Sequence, residues 1–491
     1  MGIISEHFSK LNPKLIIIFS IIGILFFASV AALITTLWGA TGGVFLILSV
    51  IVPFAVYCIV RYPRFGVLFY LIFAYLIMFI SGFGLNFPFG TLMDGILGLL
   101  LLGFFINQKY RPDWLIFKDS ITTILLIWII YNVIQVGNPF AESRLAWVYT
   151  IRSVAAVMVA YFIFNYQIKS ISFIRLIIKV WLILSFIAAL YALKQEYIGF
   201  FPYEQRALDS NPLLQNLLYI DGHWRKNSIF SDPVAFAYNM AASSILCICL
   251  IVGPTSKRTK LLLGFLTMLF LYVMLFSGTR AAYVLLPAAM LLFAILKFNK
   301  QMLIFIIAFG VIMIGLINVP TSNKDLVRFQ SAFRPSNDAS YNVRAQNQKR
   351  IQPYIVSHPI GGGLGATGVW GVRFAPSSFL AQFPPDSGYI RVAVELGWIG
   401  LFLICCLMFI VLKTGINNYF KIKDPELKTY CLAMVLIIFA LNIGNFPQEA
   451  IVQFPLNVYF NMFIAIINIT YRLDKKKQAE KLNIDVNLSL K

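Results

Sequence analysis

The sequence predicts an all-α polytopic membrane protein of about fourteen transmembrane helices. Three observations predict it. Apolar residues make up 59% of the 491-residue chain and charged residues only 12%, with a mean hydropathy of +0.81; a soluble domain carries roughly 25% charged residues. The charges fall in short clusters between apolar runs, each near the ~20 residues that cross a hydrocarbon core. The basic clusters recur in every second loop, the pattern that sets orientation in a cytoplasmic membrane.

Taken in order, the expected spans are 15–37, 42–60, 65–82, 90–106, 119–136, 149–165, 173–194, 233–253, 261–277, 281–297, 302–318, 388–412, 430–446 and 456–471. The first run follows Lys10 and Lys14 and is too long for the core of a signal peptide, so it reads as an uncleaved helix. Threaded from the inside, the inner loops hold Arg61 and Arg64, then Lys109, Arg111 and Lys118, then Lys257, Arg258 and Lys260. Lys297 and Lys300, Lys413 to Lys428 and the tail from Arg472 continue the series. Both termini are expected in the cytoplasm of a bacterium, with the inner membrane between them and the active face outside. The chain then divides into N-terminal membrane helices (1–194), an extracytoplasmic loop (195–232), further helices (233–318), a long extracytoplasmic loop (319–387), C-terminal helices (388–471) and a solvated tail (472–491). The long loop is rich in Pro, Gly, Asn and Ser and is expected to form short helices against the membrane face, without a core of its own. The six cysteines all lie in apolar runs and read as packing residues, with no disulfide framework and no metal-ligand spacing.

Lysine and arginine separate across this threading. Nineteen lysines fall inside and four outside; six arginines fall inside and eleven outside, which accounts for all 40 basic residues. Orientation explains the lysines but not the arginines. Guanidinium is planar, permanently charged and able to take two phosphate or carboxylate oxygens at once. Arginines gathered at the outer face therefore point to an anionic ligand there. The competing reading is that they pair with Asp221, Asp232, Asp338 or Glu449, or touch headgroups.

Four stretches stand out, all at the expected outer face. Arg225–Met240 runs from a loop into a helix, with Asp232 at an N-cap and Pro233 at the first helical position. Leu275–Pro287 places Arg280 at a tight turn between two spans, where a charge is costly without a partner. Asn342–Gly368 carries Arg344, His358 and the glycines Gly361, Gly362, Gly363 and Gly365. Pro384–Leu403 carries Asp386, Arg391 and Glu395. The glycines follow no strand and so are no nucleotide fingerprint; they read as a turn bringing backbone close to glycan or membrane.

Phe230-Ser231-Asp232-Pro233, Ser277-Gly278-Thr279-Arg280-Ala281-Ala282, Arg344 ahead of Pro359-Ile360-Gly361-Gly362-Gly363-Leu364-Gly365, and Asp386-Ser387-Gly388-Tyr389-Ile390 with Glu395-Leu396-Gly397-Trp398-Ile399-Gly400 occur in that order. In this order the chain resembles the O-antigen ligase and polysaccharide polymerase superfamily over residues 225–403. Those are membrane glycosyltransferases that use undecaprenyl-pyrophosphate-linked glycans. Val234 stands where the family often has Asn, and Asp386 where lipopolysaccharide ligases carry His, a pattern closer to polymerase-like members.

The resemblance implies glycosyl transfer from a lipid pyrophosphate, with a growing polysaccharide or a lipid-A core as acceptor, membrane lipids around it and no nucleic acid. Such a reaction needs fixed cations where the leaving pyrophosphate gains charge and a base for the acceptor hydroxyl. Arg280, Arg344 and Arg225 are the expected pyrophosphate residues, with Arg391 and His358 as further substrate contacts. Asp386 is the expected base, its competing role being a helix cap. Glu395 could instead balance Arg391 at i,i+4. With permanent guanidinium charges available, no metal and no cofactor is expected. Tyr203, Trp224, Tyr341 and Trp370 could stack on sugars. The acceptor is not written in residue types, so a ligase is the nearest alternative; a lipid-linked oligosaccharide flippase should show an internal repeat, which is lacking here.

Overall fold

A computed structural model describes residues 13–83, 88–210, 212–220, 222–298, 300–322, 324–333 and 339–489. The chain falls into two units, Met1–Tyr62 and Pro63–Lys491. The first unit is one apolar helical stretch, α1 (Pro13–Arg61), interrupted at Gly39, where φ is +56°. The interruption falls between the expected spans 15–37 and 42–60.

The second unit opens with α2 (Pro63–Ser81), α3 (Phe89–Tyr110), α4 (Ser120–Ile134), α5 (Arg144–Val154), α6 (Val159–Gln167) and α7 (Ile171–Tyr197). After the first long connection come α10 (Pro233–Val252), α11 (Lys257–Leu275), α12 (Arg280–Leu296) and α13 (Lys300–Asn318). After the second come α17 (Gly388–Lys421), α18 (Pro425–Gly444) and α19 (Leu456–Ser489). A helix covers each of the fourteen expected positions. Among the described residues nine helices are long and apolar enough to cross a membrane, and two shorter apolar helices accompany them. The protein is an all-α polytopic membrane protein.

Helix starts follow their capping residues. Asp119 accepts from the Ile121 and Thr122 amides, Asp232 from Val234 and Ala235, and Asp424 from Glu426 and Leu427, each occupying orphan amides of a first turn. The central spans are α10 and α18, with 83% and 78% of their most apolar windows buried against 33–44% for the other long spans. Small residues let α10 approach its neighbours closely, among them Ala237, Ala241, Ser243 and Ser244. A polar ladder crosses that packing: Tyr75 Oη to Ser185 Oγ at 2.9 Å, Ser185 Oγ to Ser243 Oγ at 2.8 Å, and Trp181 Nε1 donating to Asn239 Oδ1 at 3.3 Å. Each hydroxyl finds a partner where the bilayer offers none.

Two expectations change, and the tail gains a structure. The span expected at 149–165 begins at Arg144 and breaks at Ala155, whose φ and ψ of −121° and −47° leave the helical basin. The tail, with Lys475, Lys476 and Lys477 exposed, continues α19 to Ser489. Asp474 holds it, accepting from the Lys423 and Asp424 amides at 3.1 and 2.8 Å, and Lys477 pairs with Asp424. The second connection does have an apolar centre: Ile351, Leu380 and Phe383 pack on Val394 of α17.

The first connection holds α8 (Pro202–Asp209), α9 (Pro212–Leu218) and a small antiparallel hairpin, β1 (Tyr219–Ile220) with β2 (His223–Trp224). The second holds α14 (Lys324–Ser331), α15 (Ala339–Ser357) and α16 (Gly368–Phe374). The expected sugar-stacking rings are packed on other rings: Tyr203 on Phe201, Trp224 on Tyr219, and Trp370 on Tyr149 at 4.5 Å. The side chain of Tyr341 lies outside the described residues, as do Asp221 and Asp338.

Candidate functional site

The turn between α11 and α12 is where three chain segments meet. Gly278 has φ +56°, and a Cβ there would sit 2.9 Å from Arg328 Nε, so only glycine admits that side chain. Arg328, on α14, donates from Nε to the Gly278 carbonyl at 2.8 Å. Arg225, just past β2, donates from Nε to the Ser277 carbonyl at 2.8 Å and from Nη2 to Thr279 Oγ1 at 3.1 Å. Thr279 Oγ1 in turn donates to the Pro233 carbonyl at 3.2 Å, joining the turn to the start of α10. Arg280 is the first residue of α12. The first connection is further tied here by the Lys226 amide, which donates to Phe276 O at 2.9 Å.

Arg225, Arg328 and Arg280 therefore share one locality, and the electrostatics register it. Burial pushes the Arg225 guanidinium down to about 10, and Arg328 and Arg280 push the same way, with Asp232 opposing. Burial is the main cause and the two neighbouring cations add to it; it is the gathering of cations, not the burial, that favours an anion here. Asp232 is itself engaged as a cap, with its second oxygen accepting from Ser231 Oγ at 2.7 Å. Arg344, on α15, lies close enough to Tyr238 of α10 to act on it electrostatically. It thus approaches the same helix, about two turns from Asp232.

A second locality forms around Glu395. This carboxylate accepts from the Gly365 amide at 2.9 Å, the Thr367 amide at 3.2 Å and the Thr367 hydroxyl, and it is 2% exposed. Arg391 reaches it from Nε at 3.1 Å and reaches Glu449 from Nη1 at 2.7 Å. Burial raises the Glu449 carboxyl above the usual range, Arg391 pulls it back, and Asp386 is near enough to add to the rise. Asp386 is half-buried at the entry to α17, but the cap of that helix is Ser387, whose Oγ accepts from the Ile390 amide. The capping role weighed for Asp386 is taken by its neighbour.

The glycine-rich loop comes close to the protein's own backbone. α17 breaks at Gly397, φ +71°, and the loop docks on the unwound turn. The Gly362 and Gly363 amides each donate at 2.9 Å, to Val394 O and Glu395 O, and Ile399 N reaches Pro359 O at 3.3 Å. A Cβ on Gly397 would lie 2.0 Å from Pro359 O, and one on Gly361 2.4 Å from Gly397 N. Asn138 Nδ2 closes the other side on the Ile360 and Gly361 carbonyls, at 3.1 Å each.

The sequence-derived residues thus separate. Arg225 and Arg280 come together and Arg344 approaches the same helix. Asp386 lies near Glu449 in the second locality. Arg391 is held between two carboxylates, which leaves its fork occupied by protein. His358 stacks on Tyr354 at 3.9 Å between ring centroids, meets Phe140 edge-on at 4.9 Å, and places Nδ1 3.0 Å from Tyr354 O. Other arginines expected at the outer face are also engaged: Arg152 pairs with Asp94, and Arg350 and Arg373 lie over Phe379 and Trp370. Arg328 was missed as a site residue. It was one of eleven outer arginines, and nothing in its local sequence separates it from the others. Among the described residues no group of three His, Cys, Asp or Glu side chains could hold a metal ion.

No curated protein matches the chain. A family model described as O-antigen ligase matches residues 263–405, from α11 to the first half of α17. That stretch contains the α11–α12 turn, Arg280, Arg328, Arg344, the glycine-rich loop, Asp386 and the Arg391–Glu395 pair. Through those residues this bacterial membrane protein is similar to the O-antigen ligases and the polymerase-like proteins related to them.

Proposed function

We propose that the protein is a surface-polysaccharide polymerase, transferring glycan from a polyprenyl-pyrophosphate donor to a glycan acceptor at the outer face of the inner membrane. The observation that carries this reading is the convergence of Arg225, Arg328 and Arg280 on the Ser277–Arg280 turn. Cations fixed by backbone carbonyls need no rearrangement when charge develops on a leaving group, which is the condition for electrostatic catalysis. The basic inner loops support the orientation, with both termini cytoplasmic and the two long connections outside.

In this reaction the acceptor hydroxyl oxygen forms a bond to the anomeric carbon, and the bond from that carbon to the pyrophosphate oxygen breaks. The electron pair leaves with the pyrophosphate, whose added charge falls on the arginines. The hydroxyl proton passes to a base, and Asp386 is the residue assigned to it. Guanidinium groups charged at neutral pH do the work a divalent ion does elsewhere, so the reaction is assigned as metal-independent.

A ligase, moving finished glycan to a lipid-A core or a protein, is the second reading, and the description of the matching family favours it. It shares the donor site and differs only in acceptor. Replacing Arg280 by Lys keeps the charge and loses the fork. The expected result is loss of long surface glycan at normal protein level; an unchanged chain-length profile overturns the donor-site assignment. In a deletion strain, single-unit capping without long chains identifies a polymerase. Long lipid-linked chains that never reach the final acceptor identify a ligase.

A further inference from the structure

Below the second locality, helices α4, α5, α17 and α19, with Asn445 just past α18, line a cavity open at its mouth. Gly388, two residues from Asp386, lines it, and so do Asn445 and the rings of Trp128 and Phe460. Asn457 and Asn461, one turn apart on α19, line it too, at 2% and 1% exposure. Asn457 Oδ1 accepts from the Val458 amide at 2.8 Å, which fixes the amide's orientation and leaves Nδ2 as a buried donor without a partner. Asn461 Nδ2 donates to Asn457 O at 2.8 Å, which leaves Oδ1 as a buried acceptor without a partner. Buried polar atoms almost always have partners, so one orphan donor and one orphan acceptor on one wall call for an occupant.

The chemistry of that occupant is constrained. It must accept from Asn457 and donate to Asn461, which a hydroxyl-bearing molecule does. Arg391 and Glu395, the charged residues of the lining, are paired with each other, so the wall presents no unbalanced charge to draw an ionic occupant. A bridging water satisfies the same two atoms; what favours a larger occupant is the mainly apolar lining around them. A sugar ring, apolar on its C–H faces and hydroxylic at its rim, matches a mostly apolar cavity with a few placed polar groups.

We propose that this cavity is the acceptor subsite, taking a terminal sugar of the acceptor glycan with its hydroxyls on Asn457 Nδ2 and Asn461 Oδ1. The inference rests on the glycosyl-transfer reading above and names the acceptor side of it. A ring seated there lies against the start of α17, beside the residue assigned as base, while the donor pyrophosphate is held at the α11–α12 turn.

The test is thermal unfolding of the full-length protein in nanodiscs with two probes. One is the delipidated repeat-unit oligosaccharide cleaved from the source bacterium's surface polysaccharide; the other is inorganic pyrophosphate. At about one hundred times its dissociation constant, a single-site ligand raises the midpoint by about 3 °C or more. The oligosaccharide should shift the wild type and Arg225→Ala but not Asn457→Leu/Asn461→Leu. Pyrophosphate should shift the wild type and the asparagine variant but not Arg225→Ala, which also shows that the asparagine variant is folded. If that variant does not fold, Asn457→Asp keeps the Val458 contact, removes the donor and should likewise lose the oligosaccharide shift. An asparagine variant that responds to oligosaccharide like the wild type, or a wild type that does not respond, overturns the proposal. A wild type that responds to oligosaccharide but not to pyrophosphate upholds this subsite and removes the arginine site instead.

Discussion

Arg391 and Arg225 are both partly withdrawn from solvent at the same end of the bundle, and their surroundings differ in kind. Arg391 sits between Glu395 and Glu449, and the same Glu395 ties down the Gly365–Thr367 backbone. Arg225 is held by the carbonyls of Ser277 and Leu217 and the Thr279 hydroxyl, with Arg328 and Arg280 nearby. The first arrangement neutralises a charge and builds structure. The second brings three guanidinium groups together, with Asp232 the carboxylate that opposes them at Arg225. An arginine at an outer membrane face is therefore read by its neighbours, not by its position.

The sharpest way to break the comparison is at Glu395. Removing one partner of a largely buried pair costs about 3–5 kcal/mol, and here the loop amides lose their acceptor as well. Glu395→Ala should abolish most folded protein, measured by size-exclusion of a fluorescent fusion; a monodisperse, normally abundant variant would show that the network is not structural. Arg225→Ala and Arg280→Ala should do the opposite. Protein level should hold while initial transfer rate falls by about 10²–10³-fold, the usual loss for one oxyanion-stabilising donor. Equal losses of fold at both places would erase the distinction.

Arg328→Gln sharpens it further. Gln can still reach the Gly278 carbonyl but brings no charge, so transfer should fall by roughly tenfold, about 1.4 kcal/mol, without a change in unfolding temperature. A rate equal to wild type would remove Arg328 from the cluster's function. The smallest effect is in pH. Arg225 is depressed to about 10 by burial and by Arg328. A base with a lowered folded-state value is released from the folded chain first, so its contribution to stability grows as pH rises through that value. Bound pyrophosphate holds the proton on, so its stabilising shift should shrink over the same rise. A pyrophosphate shift that is flat from pH 8 to 11 would contradict this.

The membrane architecture was legible because it follows from apolar run length and basic loops, and helix starts at Asp232-Pro233 and Asp424-Pro425 follow local capping rules. The helical tail was not legible. RLDKKKQAEKLNIDV is polar and reads as solvated, and what orders it is Asp474 reaching amides some fifty residues earlier in the chain. The site was half legible. Residue type and location pointed to Arg225 and Arg280, but pairing is a long-range fact. Glu395 was visible beside Arg391 in sequence, but the second partner, Glu449, lies 58 residues away and is placed there only by the fold. Arg328 and the Asn457–Asn461 wall depend on chain segments that meet only in the fold.

The unwound turn at Gly397 has a mechanical consequence. By accepting the Pro359–Gly363 segment as though it were an adjoining strand, α17 ties the second long connection to the bundle far from either of its ends. From His358 onward the segment is clamped to the bundle. Upstream, α14 is fastened to the α11–α12 turn through Arg328. Ile351 of α15, fully buried against Val394, extends that hold upstream, so the face beside the start of α17 is a fixed surface.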